Sequence, residues 1–185
     1  EMTPRQRTEL RIAGTGGQGL LLAAKMLAQA LVASGRKVAQ SQTYEPTSRG
    51  GYCNADLVVA EGELDYPLAT ALDALVLLDA LAVPPSWPML KAGALVLADT
   101  RLCPEVPAGE ARVLHLPMTR TAIELGSERV ANIVALGALV RLTDLCDGKA
   151  LADMVRAETP RSFVQLNMDA LAAGLELAEE ALATS

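Results

Sequence analysis

A glycine-rich hexapeptide near the amino terminus is the feature that most constrains the fold of this chain. Residues 14–19 read GTGGQG and lie between the apolar residues 10–13 and an alanine- and leucine-rich stretch that begins at Leu20. Glycines at these offsets allow positive φ angles and let a ligand approach the backbone closely. The pattern therefore predicts a strand, a tight turn and a helix whose first amides point toward a negatively charged group.

The spacing of these glycines satisfies the G-x-G-x-x-G fingerprint of dinucleotide-binding folds, but the sequence that follows departs from it. Such folds normally place an Asp or Glu about 20 residues further on, where it binds ribose hydroxyls. The second predicted strand ends in the residues QSQ at 40–42, and the nearest carboxylate, Glu45, lies beyond it beside Pro46. A stand-alone nicotinamide or flavin enzyme is therefore one hypothesis, weakened by the missing carboxylate.

Length and composition are those of one domain with an aliphatic core. The 185 residues are 51% hydrophobic but only 3% aromatic, and a domain of this size buries about 70% of its unfolded surface. The sequence contains no repeat, low-complexity tract or linker, so one domain over residues 1–185 is predicted. A net charge of −6, with few aromatic side chains for base stacking, argues against a nucleic-acid partner.

The cysteines and the apolar segments indicate where the protein is found. Cys53, Cys103 and Cys146 are odd in number and widely separated, with no C-x-x-C pair, so they predict buried thiols rather than disulfides or a cluster. The first residues are polar, and no segment reaches the ~20 apolar residues that span a bilayer. We therefore expect a cytoplasmic protein that neither carries an iron–sulfur cluster of its own nor enters a membrane.

Strand and helix patterns alternate over the first two thirds of the chain, which favours an α/β fold with helices on the faces of a sheet. Continuous apolar runs at 76–78 and 95–97 are typical of parallel strands that are covered on both sides. The predicted strands are 38–43, 55–60, 74–78, 94–98 and 112–116, and the predicted helices are 18–33, 119–125, 127–142, 148–157 and 161 to about 184.

Residues suited to acid–base or nucleophilic catalysis are few. The single histidine, His115, lies in an apolar strand without a triad partner in the sequence and is interpreted as a core or sheet-edge residue. Asp79 and Asp99 each end an apolar strand, where carboxylates more often form loops or cap helices than bind ligands. The sequence therefore predicts no self-sufficient active site.

A polar loop follows the second predicted strand. Residues 42–51 read QTYEPTSRGG, and Arg49 beside Gly50 and Gly51 offers a planar cation next to accessible amides, which suits a phosphate or carboxylate. The alternative interpretation is a flexible loop with a surface arginine. In a doubly wound fold this loop lies near the glycine turn, so the two segments would form one anion-binding surface.

With these motifs the chain resembles the gamma subunits, or corresponding gamma domains, of 2-oxoacid:ferredoxin oxidoreductases, which include the pyruvate, 2-oxoglutarate, 2-oxoisovalerate and indolepyruvate enzymes. The resemblance spans nearly the whole chain. It rests on GTGGQG, on the pattern S-x-x-Y-x-P-x-x-R-G-G over residues 41–51, and on later matches at 54–60, 65–67, 131–138, Asn167, Ala170 and Gly174. The family usually has Y-G-P-E where this chain has YEPT, so a contact by that loop's usual carboxylate is not carried over.

The resemblance implies a Rossmann-like three-layer α/β/α fold with a mostly parallel sheet and a helical C-terminal part. It implies a complex that converts a 2-oxoacid and coenzyme A to an acyl-CoA and carbon dioxide, with electrons passed to ferredoxin. Thiamine diphosphate, magnesium and iron–sulfur clusters would belong to partner alpha and beta chains, or alpha, beta and delta chains. This chain alone would not be catalytic; it would dock beside the thiamine site and help to bind or enclose coenzyme A.

The residues that the resemblance assigns to coenzyme A belong to the two motifs. They are Gly14, Gly16, Gly17, Gln18 and Gly19 in the turn, with Tyr44, Arg49, Gly50 and Gly51 in the facing loop. Asn132 and Asn167 also match the family, but we interpret them as satisfying buried backbone groups.

Further expectations concern the surface and the substrate. Trp87 and Met89 are candidates for an exposed apolar docking surface, with local core packing as the alternative. Among the 2-oxoacids, 2-oxoglutarate is favoured because a separate short gamma chain is common in those enzymes. Two other classes of function stay open: the stand-alone dinucleotide enzyme, and a nucleotide-sensing or assembly module with no enzyme attached.

Overall fold

The computed structural model describes residues 7–45 and 50–185, which fold around a six-stranded sheet. The strands are β1 (Arg7–Thr15), β2 (Lys37–Tyr44), β3 (Tyr52–Ala60), β4 (Leu72–Leu77), β5 (Leu90–Asp99) and β6 (Arg112–Leu116). The helices are α1 (Leu20–Ala33), α2 (Val83–Ser86), α3 (Met118–Leu125), α4 (Ala131–Thr143), α5 (Gly148–Glu158) and α6 (Val164–Ala183).

The sheet is mixed, with the strand order β2-β3-β1-β4-β5-β6. β1, β4, β5 and β6 are parallel neighbours, whereas β3 runs antiparallel to both β1 and β2. Five strands therefore share one direction, and the predicted α/β fold with a mostly parallel sheet is confirmed. The reversal of β3 follows from the short connection after β2, because a hairpin can join antiparallel strands but a parallel pair needs a long crossover.

The face of the sheet that bears the long helices carries an aliphatic core. Leu10 and Ile12 of β1 and Leu57 of β3 are fully buried there against side chains from α1, α4, α5 and α6. The backbones of α4 and α6 approach each other closely, because Gly137 and Gly174 face each other: a Cβ added to Gly174 would lie 3.0 Å from the Ala138 amide nitrogen. The predicted helical C-terminal part is thus packed on the sheet.

The opposite face has only a thin cover. It is made by α2 with its flanking short helical turns, 80–82 and 87–89, and by the loop that leads to β6. Trp87 and Met89 are half-buried against Leu72, Leu75 and Val96 of this face. These contacts favour local core packing, the alternative interpretation, over an exposed docking surface.

The remaining predictions about single residues have clear outcomes. Asp79 accepts a hydrogen bond from the Leu81 amide (2.9 Å) and Asp99 from the Leu102 amide (2.9 Å), so both carboxylates form turns as interpreted. His115 is exposed on the edge strand β6. All three cysteines are free thiols. Within residues 7–45 and 50–185, no helix combines the length and the apolar content that a bilayer crossing requires.

Candidate functional site

The glycine turn lies at the carboxyl edge of the sheet, between β1 and α1, as the sequence predicts. Gly17 and Gly19 have φ angles of 92° and 70°, in the left-handed region that favours glycine. Gly19 is the N-cap of α1. Gly16 and Gly17 are exposed, so the backbone of the turn is accessible to a ligand.

The amino end of α1 is suited to an anion. The first amides of a helix have no intrahelical acceptor and carry the positive end of its dipole. Among the described residues no side chain caps this end, and the first turn consists of leucines, with Leu22 41% exposed. A phosphate or carboxylate that approaches these amides would therefore meet no competing carboxylate from the first turn of the helix.

The facing loop contacts the turn directly. The Gly16 amide donates to the Gly51 carbonyl over 2.9 Å, and β3 pairs Tyr52 with Thr15 beside it. The predicted proximity of the two motifs is confirmed, because β3 is the neighbour of β1 and starts at this edge. Gly50 has a φ of 81° and is exposed, and Tyr44 is 53% exposed. Arg49 lies outside the described residues.

The carboxylate of Glu45 has a structural role at the base of the same loop. Its Oε2 accepts a hydrogen bond from the Tyr52 amide over 3.2 Å, while the Glu45 amide donates to the Tyr52 carbonyl over 2.9 Å. This carboxylate closes the hairpin between β2 and β3. The stand-alone dinucleotide hypothesis would need it on a ribose, and it loses support accordingly.

The side chain of Gln18 folds back into the protein rather than toward the exposed side of the turn. Its Oε1 accepts a hydrogen bond from the Thr15 amide over 2.8 Å, and its Nε2 donates to the Leu78 carbonyl over 3.0 Å. Gly14 makes room for it, because a Cβ on Gly14 would collide with Gln18 Oε1. The assignment of Gly14 and Gln18 to ligand binding stays a prediction, and in this structure both residues hold the turn.

Asn132, at the start of α4, fixes the other side of the turn. Its Nδ2 donates to the Gly19 carbonyl over 3.0 Å, and its Oδ1 accepts from the Ile133 amide. The interpretation that it satisfies backbone groups is confirmed. Asn167 differs, because its Nδ2 donates to the side-chain hydroxyl of Thr159 over 2.9 Å.

A buried polar cluster on the thinly covered face was missed by sequence reasoning. Arg11 of β1 forms a bidentate ion pair with Asp56 of β3, with N–O distances of 2.7 and 3.0 Å. Asn54 donates to Asp56 and accepts from the Tyr52 hydroxyl, whose pKa is raised by burial. Arg11 also donates to Ser86 of α2 over 3.3 Å. The cluster therefore connects the start of β3, beside the turn, to α2.

The three cysteines are free thiols whose pKa values are raised by burial. Burial raises the pKa of Cys103 to about 11, and burial together with nearby Asp147 raises that of Cys146 to about 11. A raised pKa disfavours the thiolate, which is the nucleophilic and metal-ligating form of cysteine. Over residues 7–45 and 50–185, no group of three or more His, Cys, Asp or Glu side chains is placed to hold a metal ion.

Comparison with known proteins connects this geometry to one family. Residues 9–177 match the family described as pyruvate ferredoxin/flavodoxin oxidoreductase. The 2-oxoglutarate synthase subunit KorC of Methanothermobacter thermautotrophicus is 35% identical over 182 residues, which cover 94% of this chain and 96% of that protein.

Solved structures with the same fold include a separate subunit and a larger enzyme chain. The keto/oxoacid ferredoxin oxidoreductase gamma subunit from Geobacter sulfurreducens PCA superposes with a TM-score of 0.86 at 37% identity, covering 94% of this chain and 97% of that one. The 2-oxoglutarate:ferredoxin oxidoreductase from Magnetococcus marinus, solved with 2-oxoglutarate, coenzyme A and succinyl-CoA, gives 0.85 at 23% identity, which shows the shared fold alone. It matches 95% of this chain but 32% of that one.

Proposed function

Because this chain belongs to the pyruvate ferredoxin/flavodoxin oxidoreductase family and is a gamma subunit of a 2-oxoacid:ferredoxin oxidoreductase, we propose that its complex acts on 2-oxoglutarate. The similarity to KorC over nearly the full length of both chains supports this substrate. The reaction would convert 2-oxoglutarate and coenzyme A to succinyl-CoA and carbon dioxide, with the electrons passed to ferredoxin.

Within that complex this chain is a subunit that binds rather than reacts. Its partners are the alpha and beta chains, or alpha, beta and delta chains, which hold thiamine diphosphate, magnesium and the iron–sulfur clusters and deliver electrons to ferredoxin. The raised pKa values of Cys103 and Cys146 fit this division, because they disfavour the thiolate form that ligates a cluster. Three free cysteines, two of them buried, also suit the reducing cytoplasm in which we place the complex.

The glycine turn contributes to the coenzyme A site of this complex. The observation that carries this proposal is the uncapped amino end of α1 beside the exposed backbone of Gly16 and Gly17, which matches the negative charge of coenzyme A phosphates. Tyr44, Gly50 and Gly51 flank the turn from the facing loop, and we propose Arg49 of that loop as a cationic partner for a phosphate.

The subunit assignment and the substrate can be tested together. A tagged copy of the chain, expressed in its native cell, is purified with its partners, which are identified and assayed for coenzyme A-dependent oxidation of several 2-oxoacids. We expect thiamine-dependent chains and the highest kcat/KM with 2-oxoglutarate. A preference for pyruvate or indolepyruvate would overturn the substrate proposal.

The coenzyme A contact is tested by placing a charge on the turn. Gly16 tolerates a side chain, because an added Cβ would meet its nearest neighbours, in Gly50 and Gly51, at 3.8 to 3.9 Å. In the assembled complex, Gly16→Asp should raise the KM for coenzyme A about tenfold by repulsion of the phosphates. The isosteric Gly16→Asn variant is the matched control, and the KM for 2-oxoglutarate should not change. Equal KM values for the two variants would contradict phosphate binding here.

A further inference from the structure

The hydrogen-bond ladder between β1 and β4 is interrupted at the carboxyl edge of the sheet. Its last backbone bond runs from the Leu78 amide to the Ala13 carbonyl over 2.9 Å. In a regular parallel pair, the next bond would run from the Thr15 amide to the Leu78 carbonyl. Here the side-chain amide of Gln18 lies between these two groups. Its Oε1 accepts from the Thr15 amide over 2.8 Å, and its Nε2 donates to the Leu78 carbonyl over 3.0 Å.

The side-chain amide of Gln18 therefore takes the place of a direct bond between the strands and bridges their separated ends. A peptide-like group with one donor and one acceptor satisfies both strands, so the separation leaves neither backbone group without a partner. Gln18 is itself only half-buried. The Gln18 side chain fits here because residue 14 is a glycine; a Cβ at that position would collide with the Gln18 side-chain oxygen.

The interruption falls at the point where the direction of chain connection reverses. From β1 the chain passes through α1 to β2 on one side of the sheet order, and from β4 it passes through α2 to β5 on the other. α1 packs on the aliphatic face and the segment around α2 on the opposite one. Crevices at such reversal points, outside the carboxyl ends of the strands, are where α/β folds bind ligands.

We propose that Gln18 is a positioning residue that keeps β1 and β4 separated at this edge, so that the first amides of α1 remain accessible to the anionic part of coenzyme A. The proposal rests on the coenzyme A contact proposed above and adds a second requirement to it. Loss of the separation should weaken coenzyme A binding and leave the chemical step unchanged. The measured consequence is a higher KM for coenzyme A at unchanged kcat.

The Gln18→Glu variant tests this through protonation. An ionised carboxylate can accept from the Thr15 amide but repels the Leu78 carbonyl, whereas a protonated carboxyl can accept from one and donate to the other, as glutamine does. Burial, the Leu78 carbonyl and the carboxylate of the adjacent Asp79 should all raise the pKa of the new side chain.

The readout is the KM for coenzyme A in the assembled complex, expressed relative to the native complex at each pH. For Gln18→Glu we expect it to be about tenfold higher at about pH 8 and to fall toward the native value at about pH 6, with kcat and the KM for 2-oxoglutarate native-like throughout. The recovery occurs within one folded preparation, so it does not depend on how well the variant expresses.

The Gln18→Met variant is the matched control. Methionine fills a similar volume but cannot bridge Thr15 and Leu78, so the KM for coenzyme A should be raised equally at both pH values. A native-like KM for coenzyme A in both Gln18 variants would overturn the positioning role. So would a change in kcat and in the KM values for coenzyme A and 2-oxoglutarate that does not recover in Gln18→Glu at low pH. If Gly16→Asp still raises the KM for coenzyme A, only that role fails; if Gly16→Asp is also without effect, the coenzyme A contact itself is wrong.

Discussion

Where β1 and β3 lie, the two faces of the sheet are stabilised by different interactions. On the face covered by the long helices, the strands contribute aliphatic side chains such as Leu10, Ile12 and Leu57. On the other face, the neighbouring positions of the same strands carry Arg11 and Asp56, bound to each other and covered by short helical turns. One pair of strands thus supports a large nonpolar interface and a small polar one.

The difference teaches what each face contributes. Nonpolar burial is non-directional and scales with area, so it supplies most of the stability of a domain. A buried ion pair gains little net free energy over a nonpolar pair, but it strongly penalises any arrangement that separates its partners. We therefore expect the helix-covered face to set stability through packing and the polar face to fix the position of α2 and of the start of β3.

The largest effect should come from breaking the polar cluster. Asp56→Ala leaves the Arg11 guanidinium buried without its carboxylate, and both side chains of the pair are only 8% exposed. We expect the free energy of unfolding to fall by about 4 kcal/mol, measured by urea denaturation of the purified chain.

A double variant separates the charge effect from loss of volume. Arg11→Met combined with Asp56→Leu removes both charges together, so most of the lost stability should return. If the double variant were as unstable as Asp56→Ala, the polar face would be contributing more than positional specificity, and the contrast between the two faces would not hold.

An intermediate effect is expected at the contact between α4 and α6 on the other face. Gly174→Ala places a methyl group 3.0 Å from the Ala138 amide nitrogen and closer still to the Val134 carbonyl. Forcing the helices apart should cost about 2 kcal/mol in the same denaturation assay. Gly148→Ala is the matched control, because a Cβ there has no neighbour within 4 Å, and its stability should be native or slightly higher.

The smallest effect concerns a polar contact at the rim of the helix-covered face. Lys25 and Gln29 of α1 donate to Glu158 of α5, and these hydrogen bonds lower the pKa of Glu158. A carboxyl with a lowered folded-state pKa stabilises the fold above its unfolded pKa, and this contribution is lost as the pH falls through the folded pKa.

Lys25→Met should remove most of that pH-dependent contribution. In thermal unfolding measured between about pH 7 and pH 3, the variant should lose less stability on acidification than the native chain does. Arg120→Met is a suitable control, because the Arg120–Glu124 pair lies within α3 and joins no second element. An identical acid dependence of the Lys25 variant and the native chain would show that this rim contact has no measurable role.

Much of the fold could be predicted from sequence because local patterns determine it. Two features could be predicted without knowledge of tertiary contacts. They are the glycine turn between an apolar strand and an apolar helix, and the continuous apolar strands. The direction of β3 was harder to predict, because an apolar run such as 55–60 fits a strand that is parallel to its neighbour as well as one that is antiparallel. The short connection from β2 was the available signal for a hairpin.

The polar cluster and the role of Gln18 illustrate two kinds of missed information. Arg11 alternates with Leu10 and Ile12, and this period of two could have indicated a strand with one polar face. Gln18 carried no such signal, since a glutamine in a glycine turn can point to a ligand or back to the strands with the same sequence. Its orientation depends on the Leu78 carbonyl, 60 residues away along the chain.

The contacts that fix the glycine turn also determine when the turn can form during synthesis. Gln18 needs the Leu78 carbonyl as its acceptor, and Gly19 is held by Asn132, 113 residues further along the chain. On the ribosome these partners emerge well after the turn itself, and chain growth proceeds at only about 5–20 residues per second. A nascent chain therefore carries the glycine motif for several seconds before that motif can take its final shape. In truncated chains that end before α4, the motif should not reach this shape.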